Sequence, residues 1–204
     1  KYTQIKEELP NIAAAGFTSV QTSPAQKGDG QVWYWLYQPQ TFSVQPNALG
    51  NKAELQELCD EAKKYGINVI VDVVANHTRA IGDDGLGADC YHNNGDAWYT
   101  DRTGITMGRI GMPDLNSEHP TVQNKVKGYI EELKGIGVKG IRWDAAKHIA
   151  LPSENCQFWP VVTSVGLYNY GEILVGPLES GGEGLMKEYT NYMSVTDSKY
   201  GQAI

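Results

Sequence analysis

The sequence predicts an α/β fold with a parallel sheet, and two observations support that class. Segments with helical spacing alternate with short β-rich or apolar runs, in the order helix, strand, helix, strand, long insertion, helix, strand, helix, strand. Such alternation is typical of parallel α/β sheets. The last two predicted strands begin about 30 residues apart, which is the usual length of a βαβ repeat.

The predicted helices show apolar residues at spacings of three and four. The first helix has apolar residues at Ile5, Leu9 and Ile12. Pro10 is expected to kink or restart it. Residues 51–65 give the clearest helix, because Asn51 can cap it and Glu54 follows three residues later. Helical spacing recurs in 122–133 and 157–162.

Four strands are predicted, at 16–24, 66–74, 138–144 and 167–174. The run "GINVIVDVV" is typical of a strand buried on both faces. Between the second and third strands, residues 75–118 are rich in Gly, Asp, Asn and His and show no period. So long an irregular insertion is often functional.

Composition excludes several classes of function. The chain has 204 residues, 41% of them hydrophobic, and a net charge of −7. The acidic balance disfavours nucleic-acid binding, which needs clustered Lys and Arg. No GxGxxG or GxxxxGKS motif favours a nucleotide, and no apolar run is long enough to span a membrane. The three cysteines form no CxxC pair, so zinc is not indicated; one disulfide plus one free thiol fits their number.

Each predicted strand ends in polar residues, and four strands are half of a (β/α)8 barrel. In that fold the active site lies at the carboxyl ends of the strands. The polar residues at these ends are Gln21, Thr22 and Ser23; Asp72, Asn76 and His77; Arg142, Asp144, Lys147 and His148; and Glu172.

The alternation of side chains along a strand places Arg142 and Asp144 on one face, and Ile141 and Trp143 on the other, toward the covering helices. The arginine favours the ionised form of Asp144. Glu172 ends the neighbouring strand, and strands lie about 4.8 Å apart. Carboxyls so placed can approach about 5–5.5 Å, the separation in retaining glycosidases.

An aromatic cluster precedes the clearest helix. It comprises Trp33, Tyr34, Trp35 and Tyr37 within "QVWYWLYQPQTF". A soluble surface seldom carries so many aromatic residues without a use. Flat apolar faces suit the C–H faces of sugar rings, and a neutral substrate agrees with the lack of a basic patch.

Four motifs in fixed order resemble those of the α-amylase family of glycoside hydrolases. They are "DVVANH" (72–77), "MPDLN" (112–116), "GIRWDAAKH" (140–148) and "GEIL" (171–174). The stretches "AAAGFTSVQTSP" and "WLYQPQTF" are also similar to stretches of that family. The resemblance extends through nearly the whole chain and implies a (β/α)8 barrel, present here as about strands 2–5, with an irregular domain B after strand 3.

The resemblance implies a retaining hydrolase of α-1,4-glucosidic bonds in starch and related glucans. Asp144 would be the nucleophile and Glu172 the acid/base, with Arg142 holding Asp144 ionised. Sugar contacts are implied for Tyr37, Gln38, His77 and Lys147, beside the aromatic platform of Trp33 and Tyr34.

The resemblance also implies one structural calcium ion. Side-chain oxygens of Asn76 and Asp114 would bind it, together with the backbone carbonyl of His148. Oxygen ligands suit calcium. The implied division is a first barrel part (1–74), a calcium-binding insertion (75–118) and a continuation of the barrel (119–204). His92, His119, Asp83 and Asp84 are expected to be solvated loop residues.

Two features depart from the family pattern. No counterpart exists of the fourth region, a His-Asp pair after the seventh strand that supplies a third catalytic carboxylate. The first strand is also missing. We therefore expect a fragment of a larger enzyme, whose remaining barrel and C-terminal domain lie elsewhere, and secretion, because starch is an extracellular polymer.

Simpler readings stay open from the sequence alone. Asp144 and Glu172 would also fit a structural ion pair with Arg142, and His77 a buried structural histidine. Asn76 and Asp114 would also fit turn caps, and the tryptophans would fit a core or an interface. A transglycosylase or debranching enzyme of the same family, or a non-catalytic glucan-binding protein, remains an alternative function.

Overall fold

The structure, a computed structural model, describes residues 1–173 and 182–196. Among these residues one parallel sheet has five strands in sequential order: β1 (Ser19–Thr22), β2 (Asn68–Val74), β3 (Gly140–Asp144), β4 (Tyr168–Gly171) and β5 (Ser194–Val195). Parallel strands in sequential order form the wall of a (β/α) barrel. The predicted α/β class and partial barrel are confirmed.

Six α-helices accompany the strands in the described residues: α1 (Tyr2–Ala14), α2 (Lys52–Lys64), α3 (Arg102–Met107), α4 (Pro120–Ile136), α5 (Phe158–Thr163) and α6 (Gly182–Tyr189). The cap of α2 is as predicted. The Glu54 backbone N–H donates to Asn51 Oδ1 at 3.1 Å, and the Asn51 N–H donates to Glu54 Oε2 at 2.8 Å. Two backbone donors that the helix itself leaves unpaired are thereby satisfied.

Three predictions about elements need correction. Helix α1 does not restart at Pro10 but runs through it, with the proline exposed. The sheet has five strands in the described residues rather than four, because the two-residue β5 follows α6. Strand β4 ends at Gly171, before Glu172, and Leu174 of the predicted strand lies outside the described residues.

The helix-facing side of the sheet carries the core, as the alternation in β3 predicts. Trp143 is fully buried and packs edge-to-face against Phe158 and Trp159 of α5, with ring centroids 6.0 and 5.4 Å apart. Its indole N–H donates to Asn169 Oδ1 at 2.9 Å. Because Trp143 points into this layer, Arg142 and Asp144 point to the opposite face of β3.

The insertion after β2 is irregular but internally bonded. Isolated bridges join His77 to Asp114 and Tyr91 to Leu115, and α3 is its α-helix. The division at 74 and 118 stays a prediction. All three cysteines are buried and free, so the disulfide that their number allowed does not form. No helix within the described part of the chain combines the length and apolar character that crossing a membrane requires.

Candidate active site

The register of β2 and β3 builds the floor of the candidate site. Asp72 pairs with Arg142 and Val74 pairs with Asp144. Residues that pair across parallel strands share a face, so Asp72, Arg142 and Asp144 all lie on the inner face of the sheet. The carboxyl ends of the strands therefore gather charge at one place, as expected for a barrel mouth.

Arg142 lies at the centre of three carboxylates. Its Nη1 lies 2.7 Å from Asp144 Oδ1 and 3.2 Å from Asp72 Oδ2, and its Nη2 lies 3.2 Å from Glu172 Oε1. The arginine side chain is 15% exposed. One guanidinium thus spans both predicted catalytic acids and a third acid that the site prediction did not include.

Asp72 forms the base of this cluster. It is buried, and it accepts hydrogen bonds from Gln21 Nε2 at 2.5 Å and from the Tyr37 hydroxyl at 2.6 Å. Burial raises the pKa of Asp72, while these hydrogen bonds and Arg142 oppose the rise. Tyr37 is therefore anchored by its hydroxyl, which fixes its ring at the edge of the site.

The two predicted catalytic acids occupy different environments. Burial raises the pKa of Asp144, the charge of Glu172 raises it further, and Arg142 opposes the rise by charge and hydrogen bonding. The expected effect of Arg142 is present, although burial outweighs it. The Glu172 side chain is 32% exposed against 16% for Asp144, so Glu172 lies closer to solvent.

The chain around Glu172 holds its carboxyl in place. The Glu172 backbone N–H donates to the Trp143 carbonyl at 3.0 Å, and Glu172 Oε2 accepts the Ala145 N–H at 3.0 Å. Ala145 adopts a left-handed conformation with φ of 48°, which turns the chain sharply after β3. An added Cβ at Gly171 would overlap the flexible Met193 side chain and crowd Ala146, so a larger residue there would require Met193 to shift.

An open cleft of about 390 Å³ lies above these acids. It is lined by Trp33, Tyr37, His77, Ile110, Met112, Arg142, Asp144 and Glu172. Six of the predicted site residues therefore share one cleft, and Trp33 offers it an aromatic side chain that is 69% exposed. A larger cavity of about 670 Å³, with Lys139 and Tyr168 among its lining residues, contains no carboxylate.

Three predicted sugar-binding residues do not line the cleft. Tyr34 contacts Trp33 edge-to-face, with ring centroids 6.0 Å apart. Trp33–Tyr37 form a short 3-10 helix, and Gln38 follows its last residue. Lys147 is buried, and its Nζ lies 5.8 Å from the centre of the Tyr99 ring.

The surroundings of His77 favour its neutral form. Burial lowers its pKa, and the Tyr37 carbonyl, 3.0 Å from Nε2, only partly opposes the shift. A carbonyl accepts, so Nε2 carries the proton and Nδ1 accepts from Asn76 Nδ2 at 3.5 Å. The ring is therefore held between two partners at the cleft wall, which fits either a structural or a substrate-contacting histidine.

Two of the predicted calcium ligands are side by side. The Leu115 N–H donates to the Asn76 carbonyl at 2.9 Å, which brings Asn76 next to Asp114. Both residues are buried, and Asp114 Oδ1 accepts no hydrogen bond from any described residue. A buried carboxylate oxygen without a partner is costly and is the feature expected of a cation ligand.

His92 and Glu118 complete the surroundings of Asp114. His92 Nδ1 lies 2.7 Å from Asp114 Oδ2, and His92 Nε2 lies 3.0 Å from Glu118 Oε2. The two carboxylates outweigh burial and raise the pKa of His92 to about 9, whereas burial raises the pKa of Asp114 to about 6. The prediction that His92 is a solvated loop residue is wrong, since its side chain is only 5% exposed.

The third predicted ligand lies on the loop that follows β3. The His148 side chain is held by the Ile105 carbonyl, 2.7 Å from Nδ1, and burial lowers its pKa to about 4. A neutral ring that faces a carbonyl carries its proton on Nδ1. This contact joins the insertion, at the end of α3, to the loop after β3.

Several residues of the site were not predicted. Asp72 is absent from the predicted catalytic and binding residues, although its place among the polar residues at the strand ends, two residues before β2 ends, was the available signal. Ile110 and Met112 are apolar residues in a polar loop, which was a weaker signal. No signal in the sequence indicated that Tyr99 packs on Lys147, because no local pattern joins residues so far apart in the chain.

The fold and the site together are of the type found in (β/α)-barrel glycoside hydrolases, and comparisons with known proteins give the family. The family model "Alpha amylase, catalytic domain" matches residues 3–83. The chain is 35% identical to an α-amylase of Clostridium acetobutylicum, over 98% of this chain and 29% of that protein. These matches support membership of the α-amylase family.

Solved structures agree with the fold. An α-amylase from Geobacillus thermoleovorans, complexed with acarbose, has a TM-score of 0.82 at 26% identity, over 98% of this chain and 46% of that one. α-Amylase I from Eisenia fetida has a TM-score of 0.83 at 23% identity, over all of this chain and 48% of that one. The chain thus spans less than half the length of each of these relatives.

Proposed function

We propose that the protein hydrolyses α-1,4-glucosidic bonds of starch and related glucans with retention of anomeric configuration. One observation carries the proposal: Asp144 and Glu172 reach the two terminal nitrogens of one guanidinium at the floor of a cleft with exposed aromatic residues. Membership of the α-amylase family supports the substrate class.

In the first step Asp144 attacks the anomeric carbon and Glu172 protonates the leaving glycosidic oxygen. A glycosyl–Asp144 ester forms, and the bond from the anomeric carbon to the leaving oxygen breaks. Arg142 binds Asp144 Oδ1, which leaves the other oxygen for attack. The Ala145 N–H fixes Glu172 Oε2 and so directs the carboxyl toward the cleft. Asp144 acts as a carboxylate and Glu172 as an acid.

In the second step Glu172, now a carboxylate, removes a proton from water that attacks the anomeric carbon. The ester bond to Asp144 breaks, and the carboxylate is restored. Two inversions give net retention. The exposed Trp33 and the anchored Tyr37 offer apolar faces to the sugar. The sugar contacts of Tyr34, Gln38 and Lys147 stay predictions, because none of the three lines the cleft.

The residues at 76, 114 and 148 fit a calcium ion. Asp114 supplies a buried oxygen without a partner, Asn76 lies beside it, and His148 belongs to the loop that contacts the insertion. The ion would hold the insertion against the barrel; it takes no part in bond cleavage. Secretion of the enzyme is proposed with the substrate, since starch is a polymer that cells meet outside.

Product stereochemistry tests the proposal. The intact protein is expected to release the α-anomer first from a maltooligosaccharide, because double displacement retains configuration. Proton NMR during the first minutes, before mutarotation, distinguishes the anomers. Initial release of the β-anomer would exclude the ester mechanism, and transfer to a second sugar instead of water would favour a transglycosylase.

Chelation tests the calcium site. Removing calcium is expected to lower the melting temperature, since an ion that binds only the folded state at a hundred times its Kd contributes about 2.7 kcal/mol. Calorimetry with chelator, then with calcium restored, measures the shift. The Asp114→Asn variant is the matched control, because it keeps the shape but loses the charge, and its melting temperature should hardly respond to chelator. An unchanged wild-type melting curve would remove calcium from the proposal.

A further inference from the structure

We propose that His92 positions Asp114 for the cation, through a hydrogen bond that leaves a single carboxylate oxygen facing the ion. The inference rests on the calcium site proposed above. It gives a role to a buried side chain that the cleavage chemistry does not use. Neither Asp114 nor His92 lines the catalytic cleft, so the role is separate from sugar binding.

The backbone already places His92 against Asp114. The His92 N–H donates to the Asp114 carbonyl at 3.0 Å, and an isolated bridge joins Tyr91 to Leu115. On the other side, the Leu115 N–H donates to the Asn76 carbonyl. The Asp114 segment therefore lies between two others, one with a candidate calcium ligand and one with His92.

The side-chain contact gives the two carboxylate oxygens of Asp114 different surroundings. Oδ2 lies 2.7 Å from His92 Nδ1, whereas Oδ1 is buried and accepts no hydrogen bond from any described residue. A carboxylate can rotate about its terminal bond with little resistance, because that torsion is broad. The His92 contact opposes this rotation and so determines which oxygen stays available.

The His92 ring is itself held from its far side. Nε2 lies 3.0 Å from Glu118 Oε2, and Glu118 also accepts from the Ser117 hydroxyl at 3.5 Å. Both ring nitrogens are thus occupied by carboxylates, one on each side. Groups that hold a metal-binding carboxylate in this way typically change metal affinity by ten- to a hundredfold when they are replaced.

Calcium titration of the metal-free protein tests the proposal. We expect His92→Leu to weaken calcium binding ten- to a hundredfold in isothermal titration calorimetry. His92→Asn should retain most of the affinity, because its amide nitrogen is as many bonds from Cβ as Nδ1 and reaches Asp114. His92→Gln, whose amide reaches toward Glu118 instead, should bind as weakly as His92→Leu. Asn94→Leu, at an exposed position two residues after His92, is the control and should bind as the wild type does.

The outcomes separate this inference from the calcium site itself. No binding by the wild type would overturn the site, whatever the variants do. Wild-type affinity in His92→Leu, or an equal loss in His92→Asn and His92→Leu, would overturn the role of His92 alone. Circular dichroism checks folding; if His92→Leu does not fold, His92→Gln becomes the deciding variant, and wild-type affinity in it contradicts the proposal.

Discussion

Asp144→Asn is expected to lower kcat on starch by roughly 10⁴-fold or more, because an amide cannot form the glycosyl ester. Glucan binding should be largely retained, since the substitution preserves shape and leaves the aromatic faces of Trp33 and Tyr37 in the cleft. Initial rates on starch measure the loss, and equilibrium binding of a maltooligosaccharide measures what remains.

Asp60→Asn is the matched control for this variant. Asp60 is exposed on α2, away from the cleft, so the same chemical change should leave both rate and binding unaltered. Turnover by Asp144→Asn close to that of the wild type would refute its assignment as the nucleophile. Loss of binding together with turnover would instead indicate that Asp144 holds the cleft in shape.

Arg142→Met is expected to destabilise the fold by about 3–5 kcal/mol at neutral pH, since it leaves buried carboxylates without their counter-charge. Asp72 is only 1% exposed and loses its cation, while Asp144 loses its 2.7 Å partner. Denaturant unfolding measures the effect. Arg109→Met is the control, because that arginine is 49% exposed and its pair with Asp96 should contribute less than about 1 kcal/mol.

The loss in Arg142→Met should also depend on pH. Burial raises the pKa values of Asp72 and Asp144 even with Arg142 present, and removing the arginine raises them further. An acid whose pKa is higher folded than unfolded favours folding when protonated, so stability falls as pH rises. The difference between variant and wild type should therefore shrink on acidification. A constant difference between pH 4 and pH 8 would contradict the charge argument.

The sequence predicted the elements whose physical signals are local. The alternation in "GIRWD" placed Arg142 and Asp144 on one face, and the Asn51–Glu54 pair marked the start of α2. Helix α3 was not predicted, because its six residues, "RTGITM", are too few to show a helical period. They also include a glycine and β-branched residues, which have low helix propensity. Strand β5 was missed because two residues show no alternation.

The site was predictable only as far as strand order brought its residues together. Parallel neighbours fixed Arg142 and Asp144 against Asp72, and the end of β4 brought Glu172 to the same guanidinium. The contact of His92 with Asp114 depends on how an irregular insertion folds on itself, which no periodic pattern encodes. Its polar composition therefore suggested solvent where the structure has a buried histidine.

The cluster around Arg142 carries more negative than positive formal charge. Three acids and one base give a formal charge of −3 + 1 = −2 when all are ionised. A neutral ligand brings nothing to compensate this surplus. When all three acids are ionised, the floor of the cleft therefore repels anionic ligands.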